Sequence, residues 1–90
     1  MPFERIGVIG AGTMGSGIAA NIAEHGFYVR QVDISAEKLY QAQRSAEKFY
    51  ARNVERHRMD LSDSEAARAR LSYSEDFNTL ADCDLEIEAI

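Results

Sequence analysis

The sequence predicts a parallel α/β fold, with strands joined by crossover helices. Three observations lead there. Short apolar runs alternate with stretches of helical period, the signature of strands joined by crossover helices. The first apolar run passes directly into the stretch IGVIGAGTMGSGIAA, residues 6–20, which puts five glycines into positions 7–17. The second run ends on an acid, Asp33, 21 residues after Gly12.

Each element has its own signal. Ile6–Ile9 reads as a short buried strand, and Thr13–His25 as a helix rich in small residues, stopped by Gly26 just past its end. FYVRQVDI, Phe27–Ile34, reads as the second strand. Ser35 is an N-cap candidate for a long helix reaching about His57, in which Leu39, Ala42, Ala46, Phe49, Tyr50 and Val54 make one apolar stripe. LSDSEAARARL offers another helix, with Ser62 and Glu65 spaced as a capping box. LSYS, residues 71–74, is a third strand, NTLADC a loop or single helical turn, and DLEIEAI a fourth strand.

Composition narrows the function. Ninety residues allow one small domain. A formal charge of −5 argues against a nucleic-acid binder, which carries a basic patch. An anionic small ligand remains compatible, because a local nest of amides outweighs distant charge. No segment approaches the roughly 20 apolar residues of a membrane span, and no signal-peptide pattern opens the chain. The single cysteine, Cys83, excludes an internal disulfide and fits a reducing, cytoplasmic setting. With no base or second cysteine beside it, Cys83 reads as a buried or idle thiol, and no metal site is expected.

The glycines explain themselves as a phosphate-binding turn. Gly10-Ala11-Gly12-Thr13-Met14-Gly15 is a GxGxxG segment that follows a strand and opens a helix. The first glycine permits the tight turn, the second lets a pyrophosphate approach the backbone, and the third lets helix pack on strand. Gly17, Ala19 and Ala20 extend the demand for close packing. The phosphates would sit at the helix N-terminus, where free N–H groups and the dipole attract anions. A carboxylate at Asp33 accepts both ribose hydroxyls of an adenosine and repels a 2′-phosphate, which favours NAD over NADP. The same fingerprint serves FAD. The candidate cofactor contacts are Gly10, Ala11, Gly12, Thr13, Met14 and Gly15, with Asp33 and Ile34.

RIGVIGAGTMGSGIAANIAEHGFYVRQVDIS, residues 5–35, closely resembles the N-terminus of the 3-hydroxyacyl-CoA dehydrogenases, including the 3-hydroxybutyryl-CoA dehydrogenases. GAGTMGSGIA is its most characteristic part, and LSYSEDFNTLADCDLEIEAI is similar to that family's third and fourth strands. The resemblance implies a Rossmann-like domain, of which this chain is the first half of a doubly wound sheet with strand order 3-2-1-4 and a long helical insertion after the second strand, with NAD as cofactor, an acyl-CoA substrate, and oxidation of the 3-hydroxyl to a 3-oxo group. It also implies that residues 1–90 are a partial dinucleotide-binding domain, inactive alone, with the catalytic His–Glu pair beyond Ile90. His25 sits at the far end of the first helix and His57 in a charged helix tail, and neither is expected to do chemistry.

The long helix carries Arg44, Lys48, Arg52 and Arg56 at four-residue steps, a solvated face with Glu47 and Glu55 nearby or a contact for the nucleotide end of CoA. The family uses a serine and a lysine there. Phe49 stands near the serine position, a departure, and Arg56 near the lysine position, which makes Arg56 the candidate substrate residue. Two other readings stay open: an enzyme of the 6-phosphogluconate or 3-hydroxyisobutyrate dehydrogenase group, and a non-catalytic dinucleotide-binding or interaction module.

The fourth strand departs from the pattern of a central parallel strand. Leu85, Ile87 and Ala89 face one way and Asp84, Glu86 and Glu88 the other, whereas such a strand should be apolar on both faces. Glu86 requires an uncovered face or a partner. The edge of that strand is expected to pair with a second copy of the chain, giving a homo-oligomer.

Overall fold

The computed structural model describes residues 4–90. Its elements follow one another as β1 (Arg5–Ile9), α1 (Thr13–Glu24), β2 (Tyr28–Val32), α2 (Ala36–Glu55), α3 (Leu61–Arg70), β3 (Leu71–Ser74), a 3₁₀ turn (Phe77–Asp82) and β4 (Leu85–Glu88). All pairings are parallel and the strand order is β3-β2-β1-β4, as expected.

The pleat separates two faces. Ile6 stands in register with Val29 and Leu85, and Val8 with Gln31 and Ile87. This is the helix-covered face, where Val8 and Val29 pack against Ala19 and Ala23 of α1. The small side chains of α1 let it lie close to the sheet. The second layer of helix forms as Tyr50, Ala46 and Ala67 close over Ala20. The buried Tyr50 hydroxyl donates to the Ala20 carbonyl, and burial pushes that phenol far above its ordinary pKa. Arg70 Nε donates to the Ala23 carbonyl at 2.9 Å, tying the end of α3 to the same helix.

The opposite face carries Gly7 in register with Arg30 and Glu86. Here Leu80 of the 3₁₀ turn lies over Gly7, where a Cβ would stand 2.5 Å from Leu80 Cδ2. Arg30 reaches the same turn, with Nε donating to Ser72 Oγ at 3.1 Å and Nη1 to the Thr79 carbonyl at 3.5 Å. Glu86 is exposed on this face, so its carboxylate stays hydrated. Cys83 is half-buried beside Gly7, and burial raises its thiol pKa.

Several local expectations are corrected. The capping box is absent: α3 starts at Leu61, its N-cap is Asp60, and Ser62 lies inside the helix. Asp60 already places an acid at the helix start, one turn ahead of Glu65. Gly17 meets no close neighbour, since a Cβ there would find nothing within 4 Å; close packing falls on Gly15, Ala19 and Ala20. The second strand is shorter than Phe27–Ile34, and α2 stops at Glu55, with Arg56 as its C-cap and His57 at φ 59°. Phe49 belongs to the expected apolar stripe yet is 39% exposed. The fourth strand, Leu85–Glu88, is shorter than DLEIEAI, and α1 stops at Glu24 with His25 as its C-cap, while two helix ends are as expected. Gly26 takes φ 100° after α1, and Ser35 Oγ accepts from the Lys38 N–H at 3.2 Å.

Candidate dinucleotide-binding site

The GxGxxG segment is a turn whose first peptide groups are all tied down. The Gly10 N–H donates to the Val32 carbonyl at 2.8 Å, continuing the sheet. Gly10 then leaves the strand at φ 110°, a conformation that favours glycine, and a Cβ there would also stand 2.8 Å from the Ala89 carbonyl oxygen. Its own carbonyl accepts from Gln31 Nε2 at 2.9 Å. The Ala11 N–H donates to Asp33 Oδ2 at 2.9 Å. Ser16 Oγ donates back to the Gly12 carbonyl at 2.8 Å, closing the turn from the helix side.

Beyond Ala11 the pattern reverses. Among the described residues the N–H groups of Gly12, Thr13 and Met14 have no intramolecular partner, and the first backbone bond of the helix runs from the Ser16 N–H to the Gly12 carbonyl. Free N–H groups at the start of a 12-residue helix attract an anion. A Cβ on Gly12 would meet nothing within 4 Å, so the space in front of these donors is open. A pyrophosphate fits that cradle. Gly15, by contrast, has no room: a Cβ there would lie 2.2 Å from the Gly10 carbonyl oxygen.

Asp33 follows β2 and borders the turn. Its Oδ1 accepts from the Ser35 N–H and its Oδ2 from the Ala11 N–H, each at 2.9 Å. The Ser35 N–H holds its carboxyl below the ordinary range; partial burial opposes this, and the Ala11 N–H and Lys38 charge add to the lowering. Asp33 is therefore charged at neutral pH and keeps a lone pair on each oxygen for further acceptance. Met14 and Ile34 are 69% and 81% exposed on either side. The structure thus gathers Gly10 to Gly15, Asp33 and Ile34 at the C-terminal end of β1 and β2.

Arg56 is not brought to this turn. Leu39 packs against Ala11, and Arg56 lies roughly 25 Å farther along α2 at 1.5 Å per residue. The basic row of α2 is exposed; Arg44 donates to the Tyr40 hydroxyl at 3.0 Å, while Glu47 pairs with Arg68 of α3 at 3.7 Å rather than with the row. A groove between α1 and α2, lined by Thr13, Ser16, Gly17, Ala20, Ser45, Ala46 and Phe49, leads away from the turn. His25 is spent on its own helix, with Nδ1 2.8 Å from the Asn21 carbonyl oxygen. Gln31 and Ser16 are the supporting residues that sequence reasoning missed. The parity of Gln31 with the buried Val29 was the available signal for the first of them.

Known proteins resemble this chain over nearly its whole length. The chain is 36% identical to a probable 3-hydroxybutyryl-CoA dehydrogenase of Bacillus subtilis, over 100% of this chain and 31% of that protein. The crystal structure of 3-hydroxybutyryl-CoA dehydrogenase from Escherichia coli superposes with a TM-score of 0.94 at 38% identity, covering 98% of this chain and 19% of that one. The (S)-3-hydroxybutyryl-CoA dehydrogenase of Ralstonia eutropha gives a TM-score of 0.93 at 32% identity, over 98% and 31% of the two chains. The chain therefore spans less than a third of the length of these relatives. The family model for the 3-hydroxyacyl-CoA dehydrogenase NAD-binding domain matches residues 5–90, and the chain belongs to that family.

Proposed function

We propose that this chain binds NAD through the Gly10–Gly15 turn and Asp33, as the first half of the dinucleotide-binding domain of an enzyme that oxidises the 3-hydroxyl of a 3-hydroxyacyl-CoA to the 3-oxo thioester. The observation that carries this reading is the row of unpartnered N–H groups at Gly12, Thr13 and Met14, set beside a charged Asp33. The bound cofactor supplies a hydride acceptor. The residues of this chain bind and orient it: the turn takes the pyrophosphate, Asp33 the adenosine ribose, and the exposed Ile34 flanks the adenine side. Acid–base chemistry at the substrate hydroxyl falls to residues outside positions 1–90. Work in the cytoplasm fits a lone free thiol such as Cys83.

Asp33 tests the cofactor choice. Asp33→Ala removes an acceptor for the ribose and a charge that repels a 2′-phosphate. Calorimetric titration should show NAD binding weakened on the order of 10- to 100-fold, the worth of hydrogen bonds to a charged group, and NADP binding nearly unchanged. Because the carboxylate also holds the Ala11 and Ser35 N–H groups, a uniform loss for both cofactors would assign Asp33 to the turn alone.

Arg56 tests the substrate side. A guanidinium meets a phosphate as a planar fork. Arg56→Ala in the whole enzyme should raise KM for the CoA substrate by roughly tenfold, with little change for a truncated thioester lacking the nucleotide. Equal effects on both substrates would leave Arg56 on a solvated face.

A further inference from the structure

Gln31 lies on the helix-covered face of the sheet and is 1% exposed, in register with Val8 and next in parity to Val29. An apolar side chain would fill such a position at no polar cost, whereas a buried amide needs a partner. Its partner is the Gly10 carbonyl, to which Nε2 donates at 2.9 Å. The N–H of the same peptide unit, on Ala11, donates to Asp33 Oδ2 at 2.9 Å. Gln31 and Asp33 are two residues apart, so one stretch of chain grips one peptide unit at both its carbonyl and its N–H.

That peptide leads directly into the free N–H groups of the turn. Gly10 at φ 110° has no Cβ to restrict rotation, so its orientation must be imposed from outside. If the Gly10–Ala11 peptide rotates, the Ala11 N–H leaves Asp33, and the donors that follow it at Gly12, Thr13 and Met14 lose their common aim. We propose that Gln31 is a positioning residue for the cofactor: its amide fixes the Gly10–Ala11 peptide, and through it directs the free N–H groups of the turn at the pyrophosphate. The proposal rests on the reading that this chain binds NAD, and it adds a residue that the glycine fingerprint does not contain.

The test uses Gln31→Met, which keeps the length of the side chain and removes the donor, with Gln31→Leu as a second apolar replacement, both in the intact protein. Three quantities are measured: Kd for NAD by calorimetry, Tm without ligand, and hydrogen exchange of the Ala11 amide without ligand. Kd should rise about five- to tenfold, the net worth of one buried hydrogen bond. Tm should fall by only a few degrees, because the Gly10 carbonyl loses its donor while an apolar chain replaces the amide in an apolar layer. Ala11 exchange should quicken about tenfold while the strand amides keep their protection. Unchanged affinity, or unchanged Ala11 exchange, in both variants would overturn the proposal. So would a loss of fold in both, or strand amides that quicken as much as Ala11, since Gln31 would then serve stability alone. Absence of NAD binding by the unmodified protein would overturn the cofactor reading instead, and Ala11 exchange would still judge the grip on the peptide.

Discussion

Gly12→Val is expected to give a folded protein that has lost its cofactor. Gly12 sits at φ −75° and ψ −168°, extended backbone that valine adopts without strain. A Cβ there meets nothing within 4 Å, so no core contact is disturbed. As the N-cap of α1, Gly12 makes no side-chain bond that a substitution could remove, and the poorer capping rank of valine costs on the order of 1 kcal/mol or less. The open space that spares the fold is the space a pyrophosphate must enter to reach the free N–H groups. Two methyl groups placed there keep the phosphate beyond hydrogen-bonding distance of all three donors. Affinity for NAD should fall by roughly 100-fold or more, the loss of two or more charge-assisted hydrogen bonds, with Tm shifted by only a few degrees. Circular dichroism melts and calorimetry on the same preparation separate the two effects. A folded Gly12→Val protein that binds NAD normally would move the phosphate site elsewhere.

How legible was this in the sequence? The turn was readable because its chemistry is local: a strand, three glycines at fixed spacing and a helix specify donors and open space without any distant residue. The fold class was readable from the alternation of strands and helices and the strand order from the resemblance, and β3-β2-β1-β4 followed. What failed was decided by near neighbours or by which way a helix turns a residue, and what was missed depended on a partner far away in the chain. Ser62 and Glu65 match a capping pattern, but the pattern cannot say which acid the chain reaches first, and Asp60 takes the N-cap. Gly17 resembles its neighbours in spacing, yet the helix turns it toward solvent. The pleat of VRQV in β2 sends its two adjacent polar residues to opposite faces, but it does not say what each meets there. Arg30 reaches the 3₁₀ turn, and Gln31 the glycine turn 21 residues earlier. Only the position of the Gly10 carbonyl makes the second of these sensible.

Gly15→Ala should do the reverse of Gly12→Val and damage the fold first. A Cβ at Gly15 would stand 2.2 Å from the Gly10 carbonyl oxygen, 3.0 Å from its carbon and 3.3 Å from Gln31 Nε2. The first two are backbone atoms and cannot swing aside as a side-chain tip can. Gly10 is also held by the Val32 carbonyl on one side and the Gln31 amide on the other. Relief therefore requires α1 to lift from β1, which opens the layer of Val8, Ala19, Ala23 and Val29. Alanine is the better helix former by about 1 kcal/mol, and that gain opposes the clash. Overpacking against fixed atoms costs typically 1–3 kcal/mol, with a backbone contact this short at or above the upper end, so the clash wins. The net loss should be about 2 kcal/mol, seen as a fall in Tm of roughly 10 °C for a domain of this size. NAD binding should weaken with it, because the lifted helix carries the Thr13 and Met14 donors away from Asp33. Gly17→Ala supplies the control within the same helix: its Cβ enters open space, only the propensity gain remains, and Tm should rise slightly. If the two alanines act alike, α1 does not lie against β1 as closely as these distances require.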